Sequence, residues 1–146
     1  YGIHTIELFH RVSKKDFNKV FHSLKSLNPG NFYPDTTYHS DKGMTKYICT
    51  SYCNQGVVLY LYQQVRSKNK TKKNHAPFIH FRLNPHTLLH GKYSPKTVFT
   101  ATENQLKTLD REMTELLHEI GLDCEFEQLT LSRIDCCLDY FPDSQD

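Results

Sequence analysis

Leu129-Thr130-Leu131-Ser132-Arg133-Ile134-Asp135-Cys136-Cys137-Leu138-Asp139-Tyr140 is the stretch that decides the fold. It alternates as a β-strand does, and successive side chains of a strand point to opposite faces. One face then carries Leu131, Arg133, Asp135, Cys137 and Asp139; the other carries Thr130, Ser132, Ile134, Cys136, Leu138 and Tyr140. The second set is apolar or small and suits a core. The first gathers a guanidinium and two carboxylates. Burying an unpaired carboxylate is costly, so this face must meet water, a cation or a ligand. In the plainest reading it is an exposed sheet face with an Arg–Asp pair. In the sharper one it is a site for a divalent metal and a phosphate.

Working back from that strand, Thr102-Glu103-Asn104-Gln105 has the form of a capping box. Leu106, Leu109, Met113, Leu116, Leu117 and Ile120 follow at helical spacing, and Gly121 closes the helix. This stripe reads as core. Pro77 to Leu83 alternates as a strand, with Ile79, Phe81 and Leu83 on one face and Phe78, His80 and Arg82 on the other. Asn84-Pro85 ends it, and residues 86–100 read as irregular, broken by Gly91 and Pro95. Val57 to Val65 is the clearest β run, with Val57, Leu59 and Leu61 inward and Val58, Tyr60 and Tyr62 opposite. Lys46 to Tyr52 is a shorter strand, and residues 31–45 read as loop. Near the start, Ile3 to His10 is a strand with Thr5, Glu7 and Phe9 sharing a face. Ser13 then caps a helix with Phe17, Val20, Phe21, Leu24 and Leu27 along one side, stopped at Asn28-Pro29-Gly30.

The order is β-α-β-β-α-β with one extra strand. That predicts an α+β, ferredoxin-like (split βαβ) fold, with an antiparallel sheet covered by two helices on one face and open on the other. The chain of 146 residues suits a single domain over 1–146. Net charge is only +2, so the average surface does not announce nucleic acid. The compact basic run Arg66, Lys68, Lys70, Lys72 and Lys73 does, as a hairpin loop that meets phosphates. Five cysteines, an odd number with no small disulfide framework, fit a reducing, cytoplasmic compartment. Cys49 and Cys53 lack a second pair for structural zinc. No apolar run has the length of a membrane span.

With the helices over the apolar faces, the open side collects Thr5, Glu7, Phe9, Tyr60, Tyr62, His80, Arg82, Arg133, Asp135 and Asp139. Glu7, His80, Asp135 and Asp139 form an oxygen-rich candidate site for Mg²⁺ or Mn²⁺. Arg82 and Arg133 suit a phosphate held bidentately. Tyr60 and Tyr62 suit base stacking, at roughly 1–3 kcal/mol each. The nine histidines are scattered, and no pair has metal spacing on a helix.

At Arg133-Ile134-Asp135-Cys136-Cys137-Leu138-Asp139-Tyr140 the chain resembles the Arg-(Ile/Leu)-Asp-x-x-x-Asp strand of rolling-circle replication initiators. These are the plasmid and filamentous-phage type, close to the replication initiation factor family. The strand order and the Phe78–Leu83 strand followed by Asn84-Pro85 extend the likeness loosely over most of the chain. The resemblance implies a metal-dependent nickase-ligase that binds an origin hairpin or single strand of DNA and attacks it with a tyrosine, leaving a 5′-phosphotyrosine. Asp135 and Asp139 match the acidic strand and Arg133 its basic partner. His80 stands where the related His-hydrophobic-His nucleases place a metal histidine. Here the pattern is His80-Phe81-Arg82, so the second histidine is missing. Tyr93 falls in a loop and Tyr140 on the core-facing side of its strand. No catalytic residue is therefore assigned; the nucleophile is expected beyond Asp146, with this chain as the amino-terminal part. A homodimer is compatible with that reading. The alternatives are a non-catalytic module that reads single-stranded nucleic acid on its sheet, and a palm-like or CRISPR-associated ferredoxin-like domain with a structural role.

Overall fold

A computed structural model describes residues 2–26, 31–42, 45–65, 75–91 and 99–137. In chain order they form β1 (Gly2–Arg11), α1 (Lys14–Ser26), β2 (Tyr33–Lys42), β3 (Thr45–Cys53), β4 (Val57–Gln64), β5 (Phe78–Leu83), α2 (Pro85–His90), α3 (Glu103–Glu119) and β6 (Thr130–Cys137). Alternation in three strands decides which sheet face is covered. Ile6 and Leu8 of β1, Val57, Leu59 and Leu61 of β4, and Ile79, Phe81 and Leu83 of β5 are all buried in one cluster. Phe17, Val20 and Leu24 of α1 and Leu109, Met113, Leu116 and Leu117 of α3 complete it. Each such side chain contributes about 1.5–3 kcal/mol by leaving water. Thr102 and Gln105 form the expected capping box of α3, and the Ser13 hydroxyl accepts from the Asp16 N–H at 3.1 Å at the start of α1.

The sheet order is β2-β3-β4-β5-β1-β6, six strands, each antiparallel to its neighbours. Strands β1 and β4 run parallel with β5 between them; β5 and β6 run parallel with β1 between them. These are two interlocked split βαβ units, the ferredoxin-like arrangement. Within the four strands of these units, β4-β5-β1-β6, β5 and β1 are the inner pair.

Three local readings change. Residues 31–45, expected as loop, contain β2, which extends the sheet beyond β3. It is an edge strand exposed over most of its length, so it needs no apolar period. A register shift between Pro34 and Thr37 breaks its ladder. There the buried Ser51 hydroxyl accepts from the Thr36 N–H at 3.1 Å. Residues 86–90, expected as irregular, belong to α2. Asn84 caps this helix by accepting from the Thr87 N–H, and Pro85 opens it as proline does at a first helical position. The signal read as a strand stop was also a helix start. It places His86 and His90 one turn apart, rings 4.6 Å between centroids, which corrects the expectation that no histidine pair has helical spacing.

The third change lies in β6. Glu7 pairs with Arg133 but Leu8 pairs with Leu131, leaving Ser132 as an extra residue. Such a bulge flips the alternation beyond it. Leu131 therefore shares the helix side with Leu8, and Thr130 shares the open side with Phe9, the reverse of the expectation for both. The Ser132 hydroxyl donates to the Glu7 carbonyl at 3.0 Å. Leu131 and Ile134 stay 52% and 43% exposed, so the helices do not reach over this edge. Among the described residues no helix is long and apolar enough to cross a membrane.

Candidate functional site

Cross-strand partners share a face, so the register turns the open side into rows. The first row is Tyr62, Phe78 and Arg11; the second is Tyr60, His80, Phe9 and Thr130; the third is Val58, Arg82, Glu7 and Arg133; Thr5 and Asp135 follow. Aromatic rows thus adjoin a charged one.

Glu7 is the junction. Its Oε1 lies 3.6 Å from His80 Nε2, and its Oε2 lies 3.8 Å from Arg133 Nε. Arg133 Nε bonds Asp135 Oδ1 at 2.8 Å. The Asp135 hydrogen bond and charge, with Glu7 behind them, hold the Arg133 guanidinium above its ordinary pKa. Glu7 therefore meets His80 and Arg133 from the two neighbouring strands, while Asp135, expected to converge on Glu7 and His80, meets Arg133. The guanidinium, not a shared gap, stands between the two carboxylates. Glu7 and His80 offer one carboxylate oxygen and one ring nitrogen 3.6 Å apart; Asp135 would join them only by releasing Arg133. Among the described residues no group of three potential ligands is already gathered. Asp139 lies outside the described residues, as do Arg66, Lys68, Lys70, Lys72 and Lys73 of the basic run, and Tyr93 and Tyr140.

The two tyrosines expected to stack on bases differ. Tyr60 is half-buried beside His80, ring centroids 5.5 Å apart. Tyr62 is only 5% exposed. It stacks on Phe78 at 4.6 Å and meets the edge of Tyr47, so its ring is already covered. Burial, aided by the Tyr38 hydroxyl, pushes the Tyr62 phenol well above its usual pKa. This second small cluster of Tyr47, Cys49 and Tyr62 covers the β3–β4 half of the face that the sequence left bare. Arg82 is exposed and has no ion pair among the described residues.

A shallow cavity of about 420 Å³ lies over the β5–β1–β6 half. Besides Glu7, His80 and Arg133, Phe9, Arg11, Phe78 and Ser132 line it. Sequence reasoning put Phe9 on this face without a role and missed Arg11, having ended β1 at His10. One more step of alternation would have found it. Ser132 was hidden by the bulge, which no periodicity announces. No disulfide joins the described cysteines Cys49, Cys53, Cys124 and Cys136.

Comparison of the chain with profiles of known families, with curated proteins and with solved structures finds no match.

Proposed function

We propose that the chain is the DNA-binding domain of a rolling-circle replication initiator, acting in metal-dependent strand nicking and transfer at an origin in the cytoplasm. The observation that carries this reading is the Glu7 carboxylate set between His80 and Arg133 on the sheet face opposite α1 and α3. Glu7 and His80 would hold Mg²⁺ or Mn²⁺, with Asp135 and Asp139 as further carboxylates. The ion would polarise a scissile phosphate. Arg133 and Arg82 flank Glu7 on its two neighbouring strands, where a phosphate backbone crossing the sheet would meet both. The basic run from Arg66 to Lys73 would add sequence-independent attraction.

A second reading, a non-catalytic module for single-stranded nucleic acid, is favoured by Arg133 itself. Two carboxylates orient its guanidinium, which is what a phosphate-binding fork needs. Thermal unfolding with and without Mn²⁺ separates the two. A bound ion stabilises the fold by mass action. A shift that Asp135→Asn reduces and Glu7→Gln abolishes supports the nicking domain. No shift in the wild type, with DNA binding intact, leaves the binding module.

A further inference from the structure

On strands β4, β5 and β1, every described aromatic ring of the open face but one has a ring partner. Tyr62 and Phe78 pack together with Tyr47, and Tyr60 lies against His80. Phe9, in the second row and half-buried, makes no ring contact among the described residues. It lines the 420 Å³ cavity with Phe78. The Arg11 guanidinium covers Phe78, 5.8 Å from the ring centre. Arg11 is exposed and forms no ion pair among the described residues.

We propose that this cavity receives one unstacked nucleobase of a single DNA strand, with Phe9 against the base and Arg11 and Arg133 on the phosphates to either side. This rests on the DNA-binding reading above and adds to it where a base sits. The volume lies in the range of small-ligand sites, which pair apolar walls with a few polar groups. An aromatic ring without a partner offers a stacking surface that accepts any base. Same-face residues along a strand are about 6.6 Å apart, two steps of about 3.3 Å. Arg11 and Glu7 therefore stand one step to each side of Phe9, and Arg133 faces Glu7 across the ladder. A base on Phe9 would carry its own phosphate toward one guanidinium and its neighbour's toward the other. The lining carboxylate, Glu7, is already faced by His80 and Arg133, so it does not repel the strand unopposed.

The test is a fluorescence titration of the whole chain at low salt. The probes are single-stranded oligonucleotides carrying 2-aminopurine at successive positions. Emission should change sharply at one position. Phe9→Ala should abolish that change and weaken binding about 5- to 150-fold, the range set by removing one base–ring stack. Phe9→Trp should keep both. Phe9 faces the open side away from the helix-covered core, so Phe9→Ala should fold, and circular dichroism checks that it does. Tight binding of the oligonucleotides that Phe9→Ala leaves unchanged, with no responding position, overturns the base site and leaves the DNA-binding reading standing. No binding to any oligonucleotide overturns both.

Discussion

Arg133 and Asp135, two positions apart on the edge strand β6, are joined by a 2.8 Å bond from Nε to a carboxylate oxygen. Same-face neighbours on a strand must meet in this way when their side chains are long enough. The same guanidinium leans toward Glu7 on the next strand. It therefore occupies the charge that a metal ion would otherwise supply to both carboxylates. Arg133→Ala should raise Mn²⁺ affinity several-fold, because a competing cation is gone. The same change should weaken single-stranded DNA binding and lower its salt slope by about 0.7, the share of one neutralised phosphate. Thermal stability should hardly move, since exposed ion pairs contribute little. Calorimetric titration with Mn²⁺ and a salt series read the two effects. Equal losses of both affinities would refute the competition.

The basic run makes a separate claim. Changing Lys68, Lys70, Lys72 and Lys73 together to alanine should flatten the salt dependence of duplex binding by about 0.9 for each phosphate that the lysines no longer neutralise. The position that responds to a 2-aminopurine probe should stay the same, because Phe9 and Arg11 are untouched. An unchanged slope would make these lysines ordinary solvated charges.

Alkali should unfold the protein earlier than ordinary tyrosines would. Burial raises Tyr62 and Tyr52, and the Cys49 thiol, followed by burial, raises Tyr38. The unfolded chain loses these protons near pH 10, while the folded chain keeps them. Their contribution is thus complete below about pH 10 and is lost as pH rises above it. The loss approaches about 1.4 kcal/mol per pH unit for each proton that only the folded chain retains. Urea unfolding from pH 8 to 11.5 should show a plateau and then a fall. Tyr62→Phe should make that fall shallower, because one of the retained protons is gone.

What the sequence shows and hides follows from the same physics. Wherever a strand has one wet face and one dry face, period-two alternation identifies both. Glu7, His80 and Arg133 were therefore legible as neighbours although the first and the last lie 126 positions apart. Alternation fails at Ser132, because an inserted residue changes the parity without changing the composition. It fails for β2 because an edge strand wet on both sides has no pattern to show. It also fails at Tyr62. Side-chain parity puts that ring on the face opposite α1 and α3, but only the packing of Tyr47 and Phe78 says that it is covered there.

The turn between β3 and β4 carries the last prediction, because it sets where α2 sits. Gly56 has φ +102°, a conformation that side chains rarely adopt. A Cβ there would stand 2.7 Å from the Leu88 backbone nitrogen of α2. The Gly56 carbonyl also accepts from the N–H of Asn84, the α2 cap, at 2.8 Å. Gly56→Ala must therefore strain the turn and push α2 away at once. Gly91, at φ +76°, would bring a Cβ within 4 Å of nothing. Gly91→Ala meets only the left-handed cost, about 1 kcal/mol. For Gly56→Ala, strain of about 2–3 kcal/mol corresponds to a fall in Tm on the order of 5–10 °C for a domain of this size. Gly91→Ala should lower it by only about 2–4 °C. Equal effects at the two positions would mean that α2 is free to move, and that the contact between Gly56 and Leu88 does not fix it.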